Sequence, residues 1–396
     1  MAEGFITRRG GVGSEQALAP TITFVSKTDS QIVFTIKNND DATAVILWEL
    51  DDATPDANSL ELAADTTSNN ITVTGLDDDT EFIVYATANV TGKVKSNVSQ
   101  LSITTDQLPT FISATGGTTA EYNESGKRYK SHTFTSSGNF VVNSLSNQGA
   151  SFNQVDYLII AGGAAGGSNQ GGGGGAGGYR TTNGTSGGNS ASESKVTVTA
   201  QSYGITVGSG GASVDGTNSP GNNGNNSSAL GVTSTGGGGG GAGAENFVGL
   251  TGGSGGGGGY GASGVTIAGG IGIVGQGSNG GTARFVSGQF IATGGGGGAG
   301  AVGQNHTTSK GGDGGAGLAN TLRTGSAETR AGGGGGMGQV AGQGSGGSGG
   351  GGNGSFSGTP GSGTINTGSG GGGGVTVTGA GGSGLVVIRY EIAPSA

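Results

Sequence analysis

The feature that most constrains this chain is its glycine. Glycine supplies 99 of 396 residues, and much of it falls in runs. Gly171 to Gly178 ("GGGGGAGG") is the clearest, and similar blocks return at Gly236 to Gly243, Gly252 to Gly259, Gly294 to Gly300, Gly311 to Gly317, Gly332 to Gly336, Gly344 to Gly352 and Gly368 to Gly374. A residue without Cβ surrenders the most backbone freedom on folding, so such runs are either disordered or build something that only glycine can build. Glycine-serine tracts ordinarily behave as flexible linkers. Two features point to order instead. Single large side chains interrupt the runs (Tyr179, Phe247, Tyr260, Ile271, Phe285, Phe290, Met337, Phe356), and strand-like segments bracket them, "VDYLIIA" (Val155 to Ala161) before and "LVVIRYEI" (Leu385 to Ile392) after. The ordered form is an array of extended, left-handed three-fold helices of the polyproline II type, without internal hydrogen bonds. Their amides must then bond to neighbouring helices, which approach closely enough only where side chains are missing. With six prolines and no Gly-X-Y period, collagen is excluded.

Charge divides the chain. Residues 1 to 108 hold sixteen Asp or Glu and six Lys or Arg, net −10, leaving nine and ten, net +1, for the rest. Neither part offers a basic stripe, so nucleic acid is not an expected partner. Without cysteine, no disulfide framework or thiolate metal site is possible. The start, "MAEGFITRRGGVG", shows no apolar signal region, and the longest apolar runs are too short to span a bilayer, so no membrane insertion is expected.

Taken in order, residues 1–19 form an arm, with Phe5, Arg8 and Arg9 as candidates for attachment to a partner. From residue 20 to 107 come short runs rich in β-branched and aromatic residues, bounded by Asp, Asn or Gly: Thr21 to Thr28, Gln31 to Asn38, Thr43 to Leu50, Asn70 to Leu76, Glu81 to Val90 and Asn97 to Thr105. They predict a β-sandwich. The corner "GLDDDTEFIVYA" (Gly75 to Ala86) resembles that of fibronectin type III domains, with Phe82 where that family carries a tyrosine. Residues 108–154 read as a β-hairpin connector, with "SHTFTSSGNFVV" (Ser131 to Val142) as the hairpin, and 155–396 as a glycine-rich domain. "SKVTVTAQSYGITVGSGG" (Ser194 to Gly211) reads as two further strands around a turn.

These segments, together with "VDYLIIAGG" and "GGSGLVVIRY", resemble in order the glycine-rich domain at the ends of bacteriophage tail proteins, over roughly Ser131 to Glu391. The two resemblances together imply an all-β fold: an immunoglobulin-like or fibronectin type III-like sandwich, then a small β region framing a polyglycine II helix sandwich. The likeness to phage tail domains also implies receptor-reading loops at the distal end of the polyglycine sandwich.

Little here suggests chemistry. "DYLIIAGGAAGG" (Asp156 to Gly167) imitates a phosphate-binding turn, but "SNQGGGGGAGG" follows where that turn needs a helix. Only His132 and His306 are histidines, too few for a metal cluster or a triad, and carboxylates in the glycine block are dispersed. Acidic turns such as Asp77 to Asp79 read as solvated turn formers before calcium ligands. The expectation is therefore no enzyme, no cofactor and no metal. Binding residues concentrate on loops held by rigid scaffolds, which points to the segments Asn218 to Asn226, Glu245 to Leu250, Gly281 to Ile291 and Gln304 to Lys310. Phe247, Tyr260, Arg284, Phe285, Phe290 and His306 are the receptor-binding candidates; aromatic and Arg side chains suit glycan or protein surfaces. Their other reading is as plugs that anchor the edges of the array. The function expected is a virion surface protein, a tail fibre or tail-tip adhesin contacting a host glycan or protein. The second expectation is a capsid or tail decoration or fibre protein whose glycine domain is a spacer or a weak general adhesion element. Both imply other virion proteins as partners through the arm, a homo-oligomer with trimer favoured, and an extracellular life after release.

Overall fold

The structure is a computed structural model that describes residues 15–40, 44–56, 59–62, 70–216, 218–243, 248–285, 291–308, 310–339 and 342–394. It divides into two compact units, Met1–Pro109 and Thr110–Ala396. The candidates Phe5, Arg8 and Arg9 lie outside the described residues.

The first unit is a sandwich of antiparallel strands: β1 (Thr21–Lys27), β2 (Gln31–Lys37), β3 (Val45–Leu50), β4 (Leu60–Leu62), β5 (Ile71–Thr74), β6 (Glu81–Asn89) and β7 (Ser99–Thr104). One sheet runs β1-β2-β5, the other β4-β3-β6-β7. The period of two delivers the core: Ile32, Phe34 and Ile36 from β2 face Ile46 and Trp48 from β3 and Val84, Ala86 and Ala88 from β6. Phe34 and Trp48 meet edge to face at 5.3 Å. The acidic turns act as ties. Asp40 accepts the Leu18 amide at 2.7 Å and pairs with Lys93 at 2.7 Å, Asp51 accepts the Ile83 amide at 2.6 Å, and Asp78 accepts that of Leu108 at 3.0 Å. The short edge strand β4 was not expected from the sequence.

In the second unit the first strands are β8 (Ser113–Thr115), β9 (Thr118–Glu124), β10 (Lys127–Phe134), β11 (Gly138–Ser144), β12 (Gln154–Ile160), β13 (Tyr179–Thr181), β14 (Val196–Thr197) and β15 (Ser202–Ile205). Three two-stranded ribbons interrupt the glycine runs: β16 (Ser227–Ala229) with β17 (Val232–Ser234), β18 (Thr266–Ile267) with β19 (Ala283–Arg284), and β20 (Leu318–Asn320) with β21 (Glu328–Arg330); β22 (Leu385–Ile392) follows. A long sheet runs β13-β12-β22-β10-β9, with β14 beside β12, and a smaller one runs β15-β11-β8. Between them lie Phe134, Phe140, Val142, Tyr157, Ile159, Val386 and Ile388.

The two bracketing segments are partners, as their composition predicts: β12 and β22 pair antiparallel from Asp156↔Arg389 to Ile160↔Leu385. The hairpin expected in "SHTFTSSGNFVV" does not form. Both edges of β10 are occupied, by β22 and β9, so after Ser137 the chain crosses to the other sheet and β11 pairs with β15 and β8. β14 and β15 also part company, β14 joining β12 and β15 joining β11. The stretch 108–154, read as a connector, thus supplies strands from Ser113 onward to both sheets of the second unit.

On its other face the long sheet meets the glycine. Leu158, Ile160, Leu385 and Val387 pack against Tyr179, Leu322 and the alanines Ala176, Ala299 and Ala331. Beyond that layer the bonding repeats every three residues, the period of a polyproline-type helix. Gly172, Gly175 and Gly178 donate their amides to the carbonyls of Gly241, Gly238 and Thr235; Gly173 and Ala176 donate to Gly294 and Gly297; Gly171, Gly174 and Gly177 donate to Gly374, Gly371 and Gly368. Carbonyls of the same segment accept from three more segments: from Gly167, Ala164 and Ala161, from Gly257 and Ser254, and from Met337 and Gly334. Segment 171–178 therefore has six neighbours (161–167, 235–241, 254–257, 294–297, 334–337 and 368–374), the hexagonal surroundings of a packed three-fold helix. A Cβ on Gly173 or Gly175 would lie closer than 3.0 Å to the carbonyl of Gly334 or Ser254. This is the close approach that demands glycine. Burial of the backbone is tolerated because each amide finds a carbonyl on a neighbour.

Candidate functional site

Register in the array tells which connections share an end. Segment 161–167 leaves the sheet directly from β12, and segment 171–178 returns to β13. Successive segments then alternate in direction. Those running outward reach the far end at Gly243, Tyr260, Met337 and Gly374, level with residues 170 and 171, as the bonds from Tyr260 to Gln170, Met337 to Gly171 and Gly171 to Gly374 record. Residues 260–267, 282–285, 291–292, 305–308 and 310 consequently lie at this far end, remote from the long sheet.

Four candidates are gathered there. The ribbon β18-β19 pairs Thr266 with Arg284, and next to it Phe285 forms a bridge with Ser263 and accepts the Gly264 amide at 2.8 Å. The Tyr260 and Phe285 rings meet edge to face at 5.0 Å. Both are half-buried, while Arg284 is exposed and has no carboxylate partner among the described residues. His306 joins the same group: its amide and its Nδ1 both approach the Thr282 carbonyl, at 3.1 and 3.2 Å. The Asn305 carboxamide in turn accepts the Thr282 amide at 2.8 Å. Lys310 pairs with Asp313 at 2.8 Å, and the Asp313 carboxylate also accepts the Ser345 amide, which together hold its pKa below the usual range. Phe247 and Phe290 lie outside the described residues.

One expected loop proves to be scaffold. Within Asn218 to Asn226, Gly221 and Gly224 face inward and donate to Gly240 and Gly237, while the Asn223 and Asn226 carboxamides accept the amides of Gly239 and Gly236 at 2.8 and 2.9 Å. These asparagines stand in for the missing outer helix at a spacing of three. Sequence reasoning overlooked Val265, 42% exposed beside Thr266, and the contact between Asn169 and Asn218 at the same far end. Their only signal in the sequence is that they fall where the runs reverse.

The arrangement offers apolar rings, a guanidinium without a carboxylate partner among the described residues, and hydrogen-bonding loop atoms on a rigid base. That is recognition chemistry. Among the described residues no group of three or more His, Cys, Asp or Glu gathers as metal ligands would, and no helix is long and apolar enough to cross a membrane. A family model described as a glycine-rich domain matches residues 135–391, more than half of the chain. The chain belongs to that glycine-rich domain family. No curated protein matches it.

Proposed function

We propose that this protein is a bacteriophage virion surface component, a tail fibre or tail-tip adhesin that touches the host envelope with the far end of its glycine array. The observation that carries this reading is the gathering of Tyr260, Arg284, Phe285 and His306, from separate connections, at the end remote from the sheet. Loops fixed on a rigid scaffold pay less ordering entropy on binding, and aromatic and Arg side chains dominate interface energies. The first unit is read as a fibronectin type III-like spacer, in keeping with its three- and four-stranded sheets in the order β1-β2-β5 and β4-β3-β6-β7. Attachment to other virion proteins falls to the arm with Phe5, Arg8 and Arg9, and the assembled form is a homo-oligomer, a trimer by preference. Its role is binding, without catalysis.

The test is binding of the labelled full chain to a panel of bacterial strains and isolated envelope fractions, beside Tyr260→Ala, Arg284→Ala and Phe285→Ala. The reading expects labelling of some strains only, with at least a tenfold loss in the Arg284 and Phe285 variants at unchanged melting temperature. Uniform absence of labelling, or binding indifferent to all three changes, would leave the array as a spacer of a decoration protein.

A further inference from the structure

A second site stands at the opposite end of the second unit. Beside the first residues of β12, a cavity of about 220 Å³ opens among Lys127, Tyr129, Phe152, Asp156, Lys195 and Glu391. β10 contributes Lys127 and Tyr129, β12 contributes Asp156, β22 contributes Glu391, and Phe152 comes from the short 3-10 turn Ala150–Asn153. The two ammonium groups and the two carboxylates are already matched: Lys127 with Glu391 at 2.6 Å, and Lys195 with Asp156 at 3.2 Å. Behind them Arg389, 3% exposed, holds Asp156 at 3.1 Å and lies 4.1 Å over the Tyr129 ring. Cross-strand pairing of Asp156 with Arg389 fixes the carboxylate in place.

The chemistry of such a cavity selects its occupant. Its charges cancel, so a charged ligand gains no uncompensated partner and loses its own hydration. Each ammonium still has hydrogens beyond the one used in its pair, and the carboxylates have free lone pairs. Donors and acceptors therefore alternate along the wall, the pattern that neighbouring hydroxyl groups answer, since each hydroxyl both donates and accepts. The Tyr129 and Phe152 rings supply apolar wall for C–H groups. The volume is below the ~300–1,000 Å³ of sites for drug-sized ligands, which limits the occupant to one ring. We propose that this cavity binds a neutral polyhydroxylated ring of the pyranose sugar class, as a free monosaccharide or as the end residue of a polysaccharide. It is separate from the far-end loops and stands independently of their role.

Saturation-transfer NMR tests this with the full chain, a panel of free hexoses and N-acetylhexosamines, and an envelope polysaccharide. The variants are Lys127→Ala and Lys195→Ala, both exposed, with melting curves to verify the fold, and Lys37→Ala as a change at an exposed lysine of the first unit. Saturation transfer to the ring protons of at least one neutral sugar, weakened fivefold or more in both Lys127→Ala and Lys195→Ala and unchanged in Lys37→Ala, is the expected result. Transfer from the polysaccharide alone, with the same variant dependence, assigns the end residue of a polymer. No transfer from any sugar at millimolar concentration, transfer indifferent to both lysines, or preference for a carboxylated sugar over its neutral counterpart would overturn the proposal.

Discussion

At the residue scale, the account turns on which glycines are irreplaceable. Gly173 sits among backbone on every side, whereas Gly204, in β15, has nothing within 4 Å of where a Cβ would be. Gly173→Ala is expected to cost at least the ~1–3 kcal/mol of an overpacked core, because its neighbours are held by their own bonds and cannot give. Gly204→Ala is expected to be neutral or stabilising by up to ~1 kcal/mol through the unfolded state. Urea melts of the two variants decide it, and equal effects would contradict the array. His132 gives a second test. It is fully buried, and its Nδ1 lies 2.6 Å from the Gly116 carbonyl, which can only accept, so Nδ1 carries the hydrogen and Nε2 accepts from the Tyr390 hydroxyl at 3.1 Å. Burial lowers the His132 pKa and raises that of Tyr390 to about 12. With the folded pKa below the unfolded value of about 6.5, His132 contributes its full stability above that value and loses it as pH falls below. Glu328, bonded to Arg323 and Arg330, is held at about 2 against an ordinary 4.5, so its contribution disappears between those values. His132→Asn should flatten the stability profile between pH 7 and 5; an unchanged slope would contradict the buried neutral ring. Of the single residues, the aromatics interrupting the glycine were legible as candidates. The capping roles of Asn223 and Asn226 were not, because nothing local says which side of a glycine helix lacks a neighbour.

At the scale of elements, strands were more legible than their pairings. Alternation marked β2, β3 and β6, and the apolar runs of β12 and β22 marked a central pair of strands across the whole glycine block. Pairing was misread where adjacency suggested a hairpin, since β10 and β11 belong to different sheets. What decides this is the occupancy of the edges of β10, and β22 takes one of them from more than two hundred residues away. The long sheet is therefore the clamp of the array: without β22, neither β10 nor β12 has its main partner. Arg389 is the polar fastening of that clamp, bonded to Asp156 and Glu124 and stacked on Tyr129. Arg389→Ala leaves Glu124 without its cation and Asp156 with Lys195 alone, and breaking a buried pair in this way costs ~3–5 kcal/mol. Thermal unfolding of that variant should fall accordingly. A shift of only a degree or two would mean that the strand pairing holds the sheet without it.

At the scale of the molecule, an array of this kind turns a composition that normally gives disorder into a support. Ordering a residue costs about 1–2 kcal/mol, and an interhelical hydrogen bond returns about 0.5–1.5. Near balance, the lattice needs the apolar layer where Ala176, Ala299 and Ala331 meet the long sheet. The sequence disclosed the runs and their apolar interruptions, and hence the array as one of two possibilities. That 260–267, 282–285 and 305–308 share one end follows from strict alternation of segment direction, which was visible only once the neighbours of each segment were known. The most direct test is residue-resolved hydrogen exchange of the amides from Gly172 to Gly178 under native conditions. Every one of these donates to a neighbouring segment, so exchange should be slowed to the level of global unfolding, like the amides of β12. Exchange at the rate of an unstructured glycine peptide would show that the runs are linkers, and the account would fail at its base.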